Sequence, residues 1–464
     1  YWTEWIIEQA NRMPPIYPIK NEDGSYNYPV GSNSNGLQRL EEGGYRQNVN
    51  DELLGTIQAE WEVYKGLKLI GSAGGRVWNN NLHENRKAFE GTGDSENKLT
   101  EQFYRSKNIT TNLMVTYNTK IGKHSIGGLL GYAYEGFSEK QFSTSRLTED
   151  SKYDIFVGDL SGDKVSNGGS ASDWAIYSGF ARATYNYDEK YLLEFNIRND
   201  YSSYFAKGNR SGVFPSFSAG WRISEENFWK ESKLSNIFSD LKIRGSYGMV
   251  GDDNVSGYAA FDYMSGYNYK NGGSVIDGKY TIGSVPRGLP VTTLSWIKAK
   301  ILDVGFDVAF LDNRLTGQFD FFRRQRDGLP ASRYDVLLPS EVGFSLPKEN
   351  LNSDVHMGYD AAVRWTDRVE DFTYSIGGNI TYSRFYDWEQ YKPRFSNSWD
   401  VYRNSLNHRF GYLNWGLEAI GQFNSWEEIA TYPIDNDRQG NKTLRPGDIK
   451  YKDVNGDGVI NSLD

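Results

Sequence analysis

The stretch TIQAEWEVYKGLKLIGSAGGRV, residues 56–77, alternates between apolar and polar side chains on both sides of a short turn. Before the turn at Lys65-Gly66, apolar residues occupy the odd positions of 57–63, and polar residues occupy the even positions. After the turn, the odd positions of 67–77 are again apolar or small. A period of two predicts two β-strands with one apolar and one polar face, joined as an antiparallel hairpin.

The same alternation recurs along the chain, so that we expect about twelve strands. The other alternating runs are residues 109–117, 126–134, 177–187, 191–200, 217–223, 241–249, 304–310, 315–321, 359–365 and 372–382.

The connections fall into two classes. Most turns inside strand pairs are short, whereas the links between pairs are long: 79–102, 138–172, 251–295, 327–353 and 386–409. Aromatic residues cluster beside the short turns, namely Trp61, Tyr64, Tyr117, Tyr185, Tyr187, Tyr191 and Trp365. Short periplasmic turns, long extracellular loops and a girdle of aromatic residues are typical of outer-membrane barrels. The prediction is an all-β fold, a transmembrane antiparallel β-barrel. A soluble sandwich, whose core would be the apolar faces, is the alternative.

The composition excludes several other classes. The 464 residues have a net charge of −9 and contain no cysteine, and the sequence supplies no basic face for nucleic acid. No apolar run approaches the roughly 20 residues that a spanning helix needs. The four histidines lie far apart in the sequence, which argues against a zinc enzyme. We therefore expect a protein that is not an enzyme.

Five segments, in order along the chain, resemble the SusC/RagA family of TonB-dependent transporters in the outer membranes of Bacteroidetes. They are YNYDEKYLL (185–193), FPSFSAGWRISEE (214–226), LKIRGSYGMVG (241–251), FLDNRLTG (310–317) and PGDIKYKDVNGDG (446–458). The likeness extends over roughly residues 35 to 464.

The resemblance implies part of a plugged barrel of about 22 strands. Residues 1–50 would be irregular, 51–385 would form strand pairs, and 386–464 would form an extracellular loop region. The plug domain, the TonB box and the final strands would lie outside this chain.

The resemblance also implies TonB-dependent import of oligosaccharides or peptides across the outer membrane. A SusD-like surface lipoprotein would act as a lid, and TonB would act on the plug. Two other functions stay open: a siderophore or vitamin receptor without a lid, and a soluble or surface β-rich protein that binds glycans or mediates adhesion.

The segment from Asp453 to Asp464 has the spacing of a calcium-binding loop. Oxygen ligands occur at positions one, three and five (Asp453, Asn455, Asp457), Val459 offers a carbonyl at position seven, and Asp464 closes the loop at position twelve. A closing Asp in place of Glu predicts weaker binding of Ca²⁺, with a structural role. The alternative is a polar turn that binds nothing.

The link 251–295 is rich in tyrosine. Aromatic faces beside side-chain amides are used to recognise sugars and peptides. The candidate substrate-binding residues are Tyr258, Tyr263, Tyr267, Asn268 and Tyr269. The alternative is a large loop that packs its own aromatic side chains together.

Overall fold

The computed structural model of the chain describes residues 7–8, 11, 15–28, 35–89, 96–148, 154–156, 164–255, 257–258, 260–333 and 335–464. The chain divides into two compact units, residues 1–222 with 251–296, and residues 223–250 with 297–464. Within these described residues, the main sheet has twelve strands, as predicted, with seven in the first unit and five in the second.

In the first unit, seven antiparallel strands follow one another in chain order. They are β1 (Gly44–Tyr64), β2 (Leu67–Arg86), β3 (Asn97–Ile121), β4 (His124–Thr148), β5 (Val165–Tyr187), β6 (Tyr191–Ser202) and β7 (Ser211–Arg222). Helix α1 (Gly36–Glu42) precedes β1, and the Asn35 side chain caps its first turn by accepting from the backbone N–H groups of Leu37 and Gln38. The unit also contains a separate hairpin, described with the site below.

In the second unit, five strands of the main sheet again follow chain order. They are β8 (Phe238–Asp252) and, after the hairpin strands β9 (Tyr267–Ile276) and β10 (Lys279–Pro286) of the first unit, β11 (Ile297–Phe310), β12 (Leu315–Ala331), β13 (Glu349–Val369) and β14 (Phe372–Glu389). A two-stranded sheet pairs β15 (Ala419–Gln422) with β16 (Ile449–Tyr451). The helices are short: α2 (Asn227–Lys230), α3 (Ser398–Asn404) and α4 (Trp426–Thr431).

The apolar face of the first unit is exposed. Leu113 on β3 lies opposite Gly71 on β2 and Tyr132 on β4, so that the apolar positions of neighbouring strands are in register. Leu113 is 63% exposed and Ile57 is 80% exposed. A sandwich would bury these side chains in its core. A continuous apolar surface of this kind is instead typical of a face that contacts lipid.

The opposite face carries charged side chains that pair across strands. Lys68 Nζ lies 2.6 Å from Glu60 Oε1, and Arg76 Nε lies 2.7 Å from Glu52 Oε1. In the second unit, Arg244 lies 2.6 Å from Asp320 and 3.2 Å from Asp307. The alternation read from the sequence therefore separates a polar face from a lipid-facing one.

The strands are longer than the alternation predicted. Residues 79–86, 97–102, 138–148 and 165–172 are strand and not loop. The link 251–295 is not irregular throughout, because it contains the β9–β10 hairpin. The sequence prediction missed the four strand ends because both of their faces are polar. An alternation between apolar and polar residues is therefore absent in them.

Among the residues that the structure describes, no helix is both long and apolar enough to cross a membrane.

The separation of faces predicts opposite outcomes for two adjacent residues. Leu113→Arg places a charge on the lipid-facing side and should lower the free energy of unfolding in liposomes by about 2–4 kcal/mol. Asn112→Arg, at the same depth on the polar face, should cost no more than about 1 kcal/mol, mainly through its hydrogen bond to Ser72. Equal losses measured by denaturant titration would contradict the assignment of the faces.

Candidate functional site

The tyrosine-rich segment 251–296 is held at its end by Trp296. The indole Nε1 donates to the Arg210 carbonyl at 2.9 Å, and the ring lies 5.6 Å from the Phe205 ring and 5.3 Å from the Phe214 ring. All three aromatic side chains are buried. Gly212 and Gly251 leave room for the Phe214 ring, which a side chain at either position would meet. This cluster fixes where the segment returns to the sheet.

Arg210 connects the same cluster to one of the candidate tyrosines. Its Nε donates to the Phe205 carbonyl at 2.8 Å and its Nη2 donates to Tyr263 Oη at 2.9 Å. The guanidinium also lies over the rings of Tyr201 and Tyr263, at 5.8 and 5.5 Å. Cation–π contacts of this kind stabilise packing. Tyr263 is therefore part of the support of the segment.

A half-buried carboxyl group, that of Asp253, lies at the start of the segment. Ser202, which is fully buried, donates through Oγ to Asp253 Oδ2 at 2.6 Å. Burial raises the pKa of Asp253, because the charged carboxylate is poorly solvated there. Ser202 Oγ also accepts from the Tyr204 backbone N–H at 3.2 Å, so that it links Asp253 to the residues that follow β6.

The other candidates lie on or near the β9–β10 hairpin. Tyr267 is 72% exposed, and Tyr280, across the hairpin near its turn, is 68% exposed. Asn268 is exposed but follows Tyr267 directly in the strand, so its side chain points to the other face. Tyr258 lies before the hairpin and is half-buried. The side chain of Tyr269 lies outside the described residues.

The structure therefore does not bring the five candidates into one pocket. Tyr263 supports the segment through its contact with Arg210, and Tyr267 and Tyr280 remain as the accessible aromatic surface of the hairpin. Arg210 was missed from the sequence, where it lies in a short polar stretch without any distinguishing spacing.

A second cluster that the sequence did not reveal surrounds His83. Its Nδ1 lies 2.5 Å from Glu101 Oε1 and its Nε2 lies 2.9 Å from Asp154 Oδ1. Asp154 also accepts from the Asn85 side chain at 2.8 Å and from the Tyr45 hydroxyl. The partners come from three strands and from the link after β4, so no local spacing could predict them.

This histidine cluster holds residues 154–156 against the end of the sheet. Hydrogen bonding to Glu101 is the largest cause that raises the pKa of His83, and Asp154 raises it further. The Tyr45 hydroxyl and His83 lower the pKa of Asp154. The attachment is therefore complete while the histidine is charged and Asp154 is ionised.

The cluster predicts a pH-dependent attachment of residues 154–156. Because the folded pKa of His83 is raised, its contribution is fully present below the unfolded pKa and is lost as pH rises through the folded pKa. A nitroxide attached at Ile155→Cys in the native-length protein should be immobile near pH 5 and more mobile near pH 9. His83→Gln should abolish the transition, whereas His124→Gln, which alters the histidine at the start of β4, should retain it. A transition that survives in His83→Gln would contradict this role.

The segment proposed to bind calcium forms a compact loop in the second unit. Asp453 accepts from the backbone N–H groups of Gly456 at 2.7 Å and Gly458 at 2.8 Å. Asp464 accepts from the N–H of Val454 at 3.0 Å and, through its other oxygen, from that of Asn461 at 2.7 Å. The closing residue thus does return to the start of the loop.

The middle of the same loop is also hydrogen-bonded internally. Asp457 accepts from the Val459 backbone at 2.8 Å and from the Asn455 and Asn461 side chains at 3.0 and 3.2 Å. These hydrogen bonds lower the pKa of Asp457, the backbone one most. Within the described part of the chain, no group of three or more His, Cys, Asp or Glu side chains is arranged to hold a metal ion. Calcium binding stays a prediction.

Titration calorimetry on the native-length protein tests whether this loop binds calcium. If Ca²⁺ binds, we expect a dissociation constant of roughly 10⁻⁴–10⁻³ M, as in extracellular modules. Asp453→Ala should remove the heat, whereas Asp371→Ala, which removes an exposed carboxylate from the β13–β14 turn, should not. The same heats for Asp453→Ala and the unaltered protein would exclude the site.

A family of proteins described as TonB-dependent receptor-like β-barrels matches residues 9–461. TonB-dependent receptor P3 of Formosa agariphila is 27% identical over 99% of this chain and 46% of its own length. TonB-dependent receptor SusC of Bacteroides thetaiotaomicron is 27% identical over 95% of this chain and 44% of its own length. The chain thus spans about half the length of the relatives that it matches.

Solved structures show the same fold. The structure of the RagAB peptide transporter has a TM-score of 0.66, with 22% identity over 81% of this chain and 41% of that chain. The open-open state of the RagAB peptide importer gives 0.68, with 21% identity over 89% of this chain and 45% of that chain.

Proposed function

The chain belongs to the TonB-dependent receptor-like β-barrel family of the outer membrane, and from this premise we propose that the whole protein imports an oligosaccharide or a peptide with the help of a SusD-like surface lipoprotein. TonB would supply the energy through the plug domain of the whole protein. The barrel residues would contribute a passage and a recognition surface without covalent chemistry.

The main observation that supports this proposal is the length of the strands. A tilted strand needs about 9–11 residues to cross the hydrocarbon layer. Strands β3 and β4 have 25 residues each and β5 has 23. More than half of each strand therefore extends beyond the membrane, on the side of the long links. This surplus supports a large extracellular surface, which a lid protein and a large substrate require.

The relatives support the same class of function. One is named SusC, and the structural neighbour with the same fold is described as a peptide transporter. The Tyr267 and Tyr280 side chains offer exposed aromatic faces of the kind that sugars and peptides stack against. In this proposal the substrate first contacts this hairpin, and the hydrogen bond between Trp296 and the Arg210 carbonyl would hold the hairpin in place.

A mild-detergent purification of the native-length protein from outer membranes tests the proposal. We expect a SusD-like lipoprotein to co-purify in near-equal amount, because the surplus strand length gives it a surface to bind. A mock purification from a strain without the tagged barrel serves as the control. Recovery of the barrel alone would contradict the lid and favour a lidless siderophore or vitamin receptor.

The substrate is then tested on the recovered complex. Tyr267→Ala with Tyr280→Ala should weaken binding of a peptide or oligosaccharide mixture. Tyr64→Ala, which removes an exposed ring beside the short β1–β2 turn, serves as the control and should leave binding unchanged. Unchanged binding in the double variant would remove the hairpin from the recognition surface.

A further inference from the structure

Three cationic side chains form a patch on the lipid-facing side of the first unit. Arg105 and Lys107 lie on β3, Lys140 lies on β4, and all three are exposed. They share the face of Leu113, because Arg105, Lys107 and Leu113 are separated by even numbers of residues and Lys140 is directly opposite Arg105. We call these three residues the cationic patch.

The arrangement is unfavourable unless something neutralises it. Like charges directly opposite each other on neighbouring strands repel and destabilise the sheet. Within the described part of the chain, none of the three forms an ion pair or a side-chain hydrogen bond. Asp173 on β5 is on the same face, but it lies opposite Ser138 and makes no ion pair with the patch. The charges are therefore available to an external anion.

The patch lies at the upper edge of the apolar surface. On β3, the lipid-facing residues run from Ile121 beside the short turn to Ile109, and Lys107 is the next residue on that face. Ile109 is twelve residues from Ile121, and twelve residues of a strand tilted by about 40° rise roughly 30 Å along the membrane normal. This rise already spans the apolar band of such barrels, which is about 25 Å tall. Lys107 and Arg105 therefore lie at the level of the outer headgroups.

Aromatic residues on both sides of the patch agree with this height. Below it, the rings of Tyr134 and Tyr177 lie 5.2 Å apart, where the second aromatic girdle belongs. Above it, the rings of Phe103 and Phe142 lie 5.6 Å apart, and Phe142 is 50% exposed. An apolar surface, a row of cations and an exposed aromatic pair thus follow one another in that order.

We propose that the cationic patch binds the phosphate groups of an anionic glycolipid in the outer leaflet. The acyl chains lie along the apolar surface around Leu113 and Leu130, the phosphates contact Arg105, Lys107 and Lys140, and the sugars above them reach Phe142. Phosphate neutralises the repulsion between Arg105 and Lys140. The match in height and the continuity with the apolar surface favour a membrane lipid over a soluble anion. Basic clusters at headgroup level are a known means of recognising anionic lipids.

The test uses the delipidated native-length protein in detergent. Native mass spectrometry follows titration with bisphosphorylated lipid A and, separately, with the same lipid after enzymatic removal of its phosphates. The test variant is Arg105→Gln with Lys107→Gln and Lys140→Gln. The matched control is Lys65→Gln with Lys120→Gln and Lys279→Gln, three exposed lysines outside the patch. Heat-modifiable gel mobility establishes that each variant is folded.

We expect the phosphorylated lipid to bind the test variant roughly 100-fold more weakly than the unaltered protein, because the loss of each cation weakens binding by about five-fold. The control should bind like the unaltered protein, and the dephosphorylated lipid should bind all three equally weakly. Should the triple variant not fold, Arg105→Gln alone should lose about five-fold. Undiminished binding by a folded test variant, or equal binding of the dephosphorylated lipid, would overturn the proposal. Equally tight binding of inorganic phosphate without lipid would overturn the assignment to a glycolipid.

Discussion

The structure depends on the pairing of backbone N–H and C=O groups between neighbouring strands. Hydrocarbon offers no hydrogen-bonding partner, so a chain can cross it as strands only if each strand pairs with its neighbours. Pairing in turn forces successive side chains to opposite faces. Leu113 and Asn112 are adjacent in the chain, yet one faces lipid and the other donates to Ser72 on the polar face.

Above the membrane no face of the sheet has to be apolar, and the strand ends carry polar side chains on both faces. Both faces contact water there, so side chains serve local attachment. His83 joins residues 154–156 to the sheet, and Trp296 with Arg210 fixes the tyrosine-rich segment. The cationic patch lies at the boundary between the strand segments in the membrane and the strand ends in water. The proposed functions of substrate recognition and lid binding are confined to the strand ends above the membrane. The strand segments within the membrane must keep apolar side chains toward the lipid.

The sequence predicted the part of the fold that lipid dictates. Twelve strands and most of the short turns were expected from the period of two, and the turn at Lys65-Gly66 lies where it was predicted. The strand ends 79–86 and 138–148 were missed, since the alternation stops where both faces are polar. The candidate site was less predictable. Tyrosines in 251–295 were identified by composition, but the role of Tyr263 depends on Arg210, which is distant in the chain.

The most direct measurement of the central claim uses single cysteines, since these 464 residues contain none. Nitroxide labels placed one at a time at positions 103–121 of β3, in the native-length protein in liposomes, report collision with oxygen in lipid and with an aqueous nickel complex. We expect strict alternation from 109 to 119, with odd positions accessible to oxygen, and access of the nickel complex on both faces at positions 103–107. Accessibility without a period of two, or alternation that continues unchanged through 103–107, would contradict it.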